Sequence, residues 1–481
     1  MRAKQNFIPV NSDVDDYLDQ SRSMFDNEIA EVFKELKISS IMKRSTIQKR
    51  CGHPAHQIIF SLFLIPFLSL GNVFLLVREQ YEEAANSAKN KYYRFLANAK
   101  FNWRSFQLSL CFRVHQKVET EPDQKLFFVI DSTITQVTGK LIELASYIYD
   151  HTVGKSVLGF EKLHLGIFNG KQFLPIGQRV CVGKKKPKAK SKASKYKKQS
   201  KAKKISPDSP GAAERAAADQ TKLDKVISML KAAINKGFEA PFVMFDSWFC
   251  FNCLIVQIKT QLGLDVILQL KNMPKTNKYV YKGKSYTLKE LYGYFARPKM
   301  RMVKKHQFKQ AILTVCLVGS IVKMKIVFVH NDGQDKWHAF GSTDTKLKAE
   351  TILNYYSYRW SIEVFFKNCK QYLNYGKEQM SNLDSIIACD ALVLMRYTVL
   401  TYLASKENAR FYEKFDTLRS QQKATCFGMR LLKYYLNQLE FIINEACVLI
   451  QNDQKKEAIE LLSSLVNNPE KIAAGALKSK I

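Results

Sequence analysis

The sequence predicts an α/β protein: a mixed sheet at the centre, a β-rich insertion, and helical regions at both ends. Three observations carry this expectation. Two short apolar runs, KLFFVID and PFVMFD, each stop at an acid, as buried strands do where they reach the edge of a sheet. Strand-like alternation with Gly turns fills KYVYKGKSYTL and QAILTVCLVGSIVKMKIVFVH, and helical periodicity fills the stretches before and after. The composition is globular, with 46% hydrophobic and 25% charged residues. A chain of 481 residues is too long for one ordinary core, so several domains are expected.

Residues 1–120 read as a helical region. Within it Ile58–Val77 carries no charge over 20 residues, the length a bilayer span needs. Pro66, Gly71 and Asn72 interrupt the run and no other segment resembles it, so a buried helix, or two short ones broken near Pro66, is expected, without a membrane. Lys89, Lys91, Arg94, Lys100 and Arg104 then interleave with Tyr92, Tyr93, Phe95 and Trp103. That mixture suits a helix-turn-helix lying on DNA, with cations for phosphates and aromatics for its small core; an amphipathic pair that merely packs is the alternative.

Residues 121–270 form the first part of the core. KLHLGIF and KQFLPIGQRV flank Asn169-Gly170, a strong hairpin turn. Residues 184–204 hold 12 lysines in 21 residues and no acid, a solvated loop that grips DNA backbone or is simply tolerated. Residues 211–236 read as helical. Residues 271–344 are the β-rich insertion, 345–400 close the core with a helix, and 401–481 are helical.

Lys and Arg number 75 against 43 acids, a formal +32, and without the lysine-rich loop 63 basic residues still face 43 acidic ones. Such an excess names a polyanionic partner, not an activity. The ten cysteines are irregularly spaced and the amino terminus lacks a signal-peptide core, which suggests reduced thiols in the cytoplasm. Cys250 and Cys253 form a lone Cys-x-x-Cys with no second pair at zinc-ribbon distance.

Asp131 and Asp246 close the two apolar runs. Adjacent strands would bring both carboxylates to one cation, although a strand-ending Asp is also a common turn former or helix cap. The third element is LNYYSYRWSIEVFFKNCKQYLNYG. At about 100° per residue, Tyr356, Arg359, Glu363 and Lys370 fall within an arc of about 60° beside the apolar face of one helix. A lone acid among cations and a phenol suits a phosphate-handling site; a surface row of ion pairs, Glu363 with Lys367, is the alternative. Asp344, or Thr343 or Ser342, is expected to cap that helix.

The spacing Tyr356-x2-Arg359-x3-Glu363-x6-Lys370 resembles the Tyr-Arg-Glu-Lys signature of DDE transposases from bacterial insertion sequences, in the family often called insertion sequence family four. STDT at 342–345, RW at 359–360, FFK at 365–367, VIDST and MFDSWF support the resemblance, which spans roughly residues 86–400. The lysine-rich insert departs from the family pattern without touching a signature residue. The resemblance implies a ribonuclease-H-like core and a catalytic triad of Asp131, Asp246 and Glu363 holding two Mg²⁺ or Mn²⁺ ions. Tyr356, Arg359 and Lys370 would position DNA phosphates, and Trp337 would stack on an unpaired base or lie in a hydrophobic core. It further implies double-stranded DNA partners (terminal inverted repeats and target), a homodimer on DNA, and cut-and-paste strand transfer, probed against two alternatives: a nuclease without strand transfer and a catalytically silent DNA-binding derivative.

Overall fold

The computed structural model describes residues 24–80, 85–118, 124–139, 141–182, 205–303, 308–331, 336–378 and 380–421. The lysine-rich segment 184–204 and most of the carboxyl-terminal region 401–481 lie outside them. The chain divides into two compact units, Met1–Val32 with Phe67–Ser69 and Phe415–Ile481, and Phe33–Pro66 with Leu70–Lys414. In the described part of the first, the Phe67 and Phe415 rings meet at 5.3 Å and Arg419 donates to the Ser69 hydroxyl. The second holds the sheet and every candidate catalytic residue.

The helical start comprises α1 (Met24–Glu35), α2 (Ile38–Arg44), α3 (Ala55–Leu64), α4 (Val73–Gln80), α5 (Ala85–Leu96) and α6 (Trp103–His115). The uncharged run is therefore two short helices with Pro66 between them. Asn72 starts the second by accepting the Leu75 N–H on its side chain. Between α5 and α6, Phe95, Phe101, Trp103 and Phe106 pack edge to face with centroids 5.0 to 6.1 Å apart. The Asn102 side chain caps α6 by accepting the Ser105 N–H.

The core follows as β1 (Phe127–Gln136), β2 (Ser146–Asp150), β3 (Lys155–Phe168), β4 (Phe173–Cys181), α7 (Pro210–Ala218), α8 (Lys222–Lys236), β5 (Phe242–Phe245), α9 (Asn252–Leu262) and β6 (Asp265–Leu270). The hairpin at Asn169-Gly170 forms, with Gly170 in the left-handed region at φ 84°. Residues 211–236 are helical as expected, in two segments. Thr221 and Asp224 form a capping box, each satisfying the other's backbone N–H, so a new helix starts there.

Residues 271–344 supply β7 (Tyr279–Tyr281), β8 (Lys284–Tyr286), α10 (Leu288–Leu291), β9 (Arg301–Val303), β10 (Phe308–Leu317), β11 (Lys323–Asn331) and β12 (Trp337–Ser342). These strands build no sheet of their own. Twelve strands among the described residues form one sheet in the order β2-β3-β1-β5-β6-β12-β11-β10-β7-β8, with β4 on β3 and β9 on β10. β1 runs antiparallel to β3 and parallel to β5, β5 runs parallel to β6, and β12 joins β6 antiparallel. This large mixed sheet flanked by helices is the ribonuclease-H-like class expected.

The chain then forms α11 (Ala349–Ser357), α12 (Trp360–Tyr372) and α13 (Leu383–Lys406). α13 is long and apolar enough to cross a membrane, and 89% of its most apolar window is buried in the protein. It corrects the reading that residues 58–77 stand alone in this respect. Its charges hid it from a search for charge-free runs, yet each of three is matched inside. Asp390 pairs with Lys162 at 2.6 Å, Asp384 with Arg215 at 2.8 Å, and Arg396 donates to the Leu62 and Phe63 carbonyls.

Candidate active site

β1 and β5 are parallel neighbours with Ile130 opposite Phe245, so the next residues, Asp131 and Asp246, stand abreast: Asp246 just past the end of β5, and Asp131 midway along β1, which continues to Gln136 against β3 instead of stopping at the acid as expected. Parallel strands lie about 4.8 Å apart, which puts the two carboxylates within reach of one cation. Each is oriented by a nearby backbone amide. The Ser132 N–H donates to Asp131 Oδ1 at 2.7 Å and the Trp248 N–H to Asp246 Oδ1 at 3.0 Å.

Glu363 comes from α12, whose apolar face buries Ile362, Phe365, Phe366 and Cys369. Arg359, immediately before that helix, links it to the strands: its guanidinium lies 2.5 Å from Glu363 Oε1 and 3.3 Å from Asp131 Oδ2. Tyr356 lies on α11, its ring 5.0 Å from Phe340 and 5.6 Å from the guanidinium, its hydroxyl 3.5 Å from Gln269 Oε1. Lys370 donates to the Thr133 hydroxyl on β1 at 2.7 Å.

The one-helix wheel drawn over 353–376 needs correction here. Residues 358–359 separate α11 from α12, and the amides of Tyr358, Arg359, Ser361 and Ile362 bond to the carbonyl three residues back. The tighter joint re-aims Tyr356 relative to Glu363. Neither Asp344 nor its neighbours cap the Glu363 helix. Asp344 accepts the Lys346 N–H in a turn before α11, whose cap position is Lys348.

Burial, then the charge of Asp246, pushes the Asp131 carboxyl up to about 7, against relief from the Ser132 N–H, Arg359 and Lys222. Burial opposes the charge on Arg359, but Tyr356, Glu363 and Asp131 outweigh it and hold its pKa above the ordinary value. Burial raises the Tyr356 phenol and lowers the Lys370 ammonium. A site that strains Asp131 toward protonation is one that a cation would relieve.

The donors are all oxygen, as a hard divalent ion requires. Among the described residues no three His, Cys, Asp or Glu side chains are grouped so as to hold a metal ion. Arg359 stands between Asp131 and Glu363, serving as their cation. The carboxylates thus suit a hard divalent ion in kind, while Arg359 between Asp131 and Glu363 keeps the three from grouping around one.

Other expected residues sit elsewhere. Arg104 is paired with Glu214 at 2.6 Å, Lys89 lies 5.7 Å from the Phe74 ring, and Lys91 lies 5.1 Å from the ring of Tyr92. Arg94 and Lys100 are exposed. Trp337 is half-buried, stacked on Tyr292 at 4.3 Å and 12°, with Phe328 at 5.8 Å. Cys250 is buried and Cys253 exposed, and neither is in a disulfide.

Sequence reasoning passed over three side chains at the site. Trp248 is 46% exposed two residues beyond Asp246, Gln269 neighbours Tyr356, and Lys222 reaches Ser132 beside Asp131 as well as the Trp248 ring. Trp248 was visible in the MFDSWF motif; nothing local marked Lys222 or Gln269.

Two abreast aspartates on a mixed sheet with a helix-borne glutamate nearby are an arrangement suited to phosphodiester chemistry, and two family models match the chain. Residues 77–278 match the model described as DDE superfamily endonuclease, and residues 212–398 match the one described as Transposase DDE domain. The first span contains Asp131 and Asp246, the second Asp246 and Glu363. The two matches support a DDE transposase, a nucleic-acid-cleaving enzyme that acts on DNA. No curated protein matches the chain.

Proposed function

We propose that the protein is a cut-and-paste transposase of the insertion-sequence kind, carrying the Tyr-Arg-Glu-Lys signature, in which Asp131, Asp246 and Glu363 form the catalytic triad. The observation that carries this reading is the pair of abreast aspartates tied to Glu363 through Arg359. Two Mg²⁺ or Mn²⁺ ions held by these carboxylates would supply activation of the attacking oxygen and stabilisation of the leaving one. The chain's own residues do the rest. Arg359 exchanges its carboxylate partners for a DNA phosphate, which frees Glu363 to complete the site. Lys370 and Tyr356 flank the same row and hold the phosphodiester in line for attack.

Hydrolysis at an element end leaves a 3′-hydroxyl, which attacks the opposite strand to form a hairpin and releases the flanking DNA; water then opens the hairpin, and the regenerated 3′-hydroxyl attacks the target strand, whose own 3′-oxygen leaves. The enzyme works as a homodimer on terminal inverted repeats, in the cytoplasm at the nucleoid. Lys89, Lys91, Arg94, Lys100 and Arg104 contribute to the DNA grip, Arg104 after release from Glu214. Residues 1–120 serve as the DNA-binding region, 121–270 and 345–400 as the catalytic core, 271–344 as its insertion and 401–481 as the closing helical region.

The test uses DNA bearing the element's inverted repeats with Mg²⁺. Wild type should nick, form hairpins and join donor to target, while Asp131→Ala, Asp246→Ala and Glu363→Ala bind DNA without cutting. Nicking without any joined product would establish a nuclease instead, and metal-independent binding without nicking would establish a silent derivative.

A further inference from the structure

Lys222 opens α8, away in sequence from the carboxylates of the site, yet its side chain is only 9% exposed and lies between the middle of β1 and the segment that follows β5. Its ammonium lies 2.7 Å from the Ser132 hydroxyl, 2.6 Å from Glu161 Oε1 on β3, and 3.7 Å from the centre of the Trp248 ring. Ser132 and Trp248 are the two residues whose backbone N–H groups hold Asp131 and Asp246. One cation therefore grips, by hydrogen bond on one side and by its field over an aromatic face on the other, both of the clamps that aim the aspartates. Glu161, itself hydrogen-bonded to Ser132, anchors the cation from the neighbouring strand.

We propose that Lys222 is a positioning residue of the catalytic site, which sets the spacing of the Asp131 and Asp246 carboxylates through Ser132 and Trp248. This rests on the reading of those aspartates as the cutting centre. The role is separable from that of a mere positive charge. A lysine acting only as a charge repels divalent ions from the nearby carboxylates, so removing it would tighten their binding. A lysine that aligns the two ligands has the opposite signature, because misaligned carboxylates bind the ion less well.

The experiment compares wild type with Lys222→Met, which keeps the length and loses the charge, with Lys222→Arg, and with Ser132→Ala, which cuts the link to β1 while leaving the lysine. Mn²⁺ binding is measured directly by electron paramagnetic resonance, on DNA-free protein and on protein holding an uncleavable repeat end. Nicking kcat and KM are measured on repeat DNA, and DNA affinity is measured by anisotropy in Ca²⁺. For Lys222→Met the expected result is Mn²⁺ binding weakened about tenfold or more, a matching fall in kcat, and DNA affinity within about twofold of wild type. Lys222→Arg should recover part of both losses, and Ser132→Ala should show a smaller loss of the same kind.

Mn²⁺ binding that tightens or stays unchanged in Lys222→Met overturns the proposal, as does a loss confined to DNA affinity and KM. If Lys222→Met fails to fold, Ser132→Ala decides by the same readouts. A wild type that binds Mn²⁺ but does not nick overturns the underlying reading of the site and leaves the Mn²⁺ comparison to judge Lys222 by itself.

Discussion

Replacing Asp131 with Asn should stabilise the metal-free protein at alkaline pH while it abolishes cutting. Asn keeps an oxygen for the Ser132 N–H and removes the charge that burial and Asp246 disfavour. A carboxyl that titrates near 3.8 when unfolded and at about 7 when folded is costly to ionise in the native state, by about 4 kcal/mol at most. The folded pKa is the raised one, so the native state holds its proton longer than the unfolded chain. Stability contributed by that proton is full below about pH 4 and is lost as pH rises toward 7. Between pH 5 and pH 8 the advantage of Asp131→Asn over wild type should grow by about 2.5 kcal/mol. Urea unfolding in the presence of a chelator, at both pH values, measures it. Adding Mg²⁺ at pH 8 should stabilise wild type and narrow the gap. An advantage that is equal at the two pH values, or a variant less stable than wild type at pH 8, refutes the view that Asp131 is strained by burial beside Asp246.

Three further outcomes are expected. Asp390→Ala leaves the fully buried Lys162 with only Glu378, at 3.2 Å, and should lower stability by about 3–5 kcal/mol, read from thermal melting. Gly159→Ala would place a methyl group 2.2 Å from the Thr135 carbonyl oxygen across the β1–β3 ladder and should cost about 2–3 kcal/mol, whereas Gly177→Ala, which meets nothing within 4 Å, should melt like wild type. DNA affinity should fall steeply with salt, with a log–log slope of about −0.9 for each phosphate contacted, and a flat response in a titration from low to physiological salt would remove the electrostatic grip from the proposal.

Local signals made much of this structure readable in advance. Both apolar runs form strands, but only one stops at its acid: β5 ends at Phe245, just before Asp246, whereas β1 runs on through Asp131 to Gln136 because its pairing with β3 continues, so Asp131 lies mid-strand. Asn-Gly turns a hairpin by its own backbone preference, so β3 and β4 were legible too. The misreadings arose where a local rule met a tertiary one. The helical wheel assumed a constant turn through residues 353–376, but the amides around Arg359 bond three residues back, and this tighter joint separates Tyr356 from the Glu363 helix.

Lys222 shows why the remainder was out of reach. Its importance depends on β1 lying between β3 and β5, a pairing order that no window of sequence contains. Only that order brings Ser132, Glu161 and Trp248, drawn from three different strands or strand ends, around one ammonium. The same holds for Arg359. On a helix wheel it is one more cation beside a glutamate, and an ordinary i,i+4 ion pair is all that periodicity can claim for it. The sheet adds Asp131 at 3.3 Å, and the arginine becomes the bridge between carboxylates that sequence had placed 232 residues apart. A residue that is paired to two of three metal-ligand candidates cannot be a bystander to their assembly: either it leaves when phosphate arrives, or the third carboxylate never joins the other two. Metal binding in the presence and absence of a DNA end therefore reports on Arg359 directly, and ion affinity that does not rise when DNA is added would mean that the bridge stays shut.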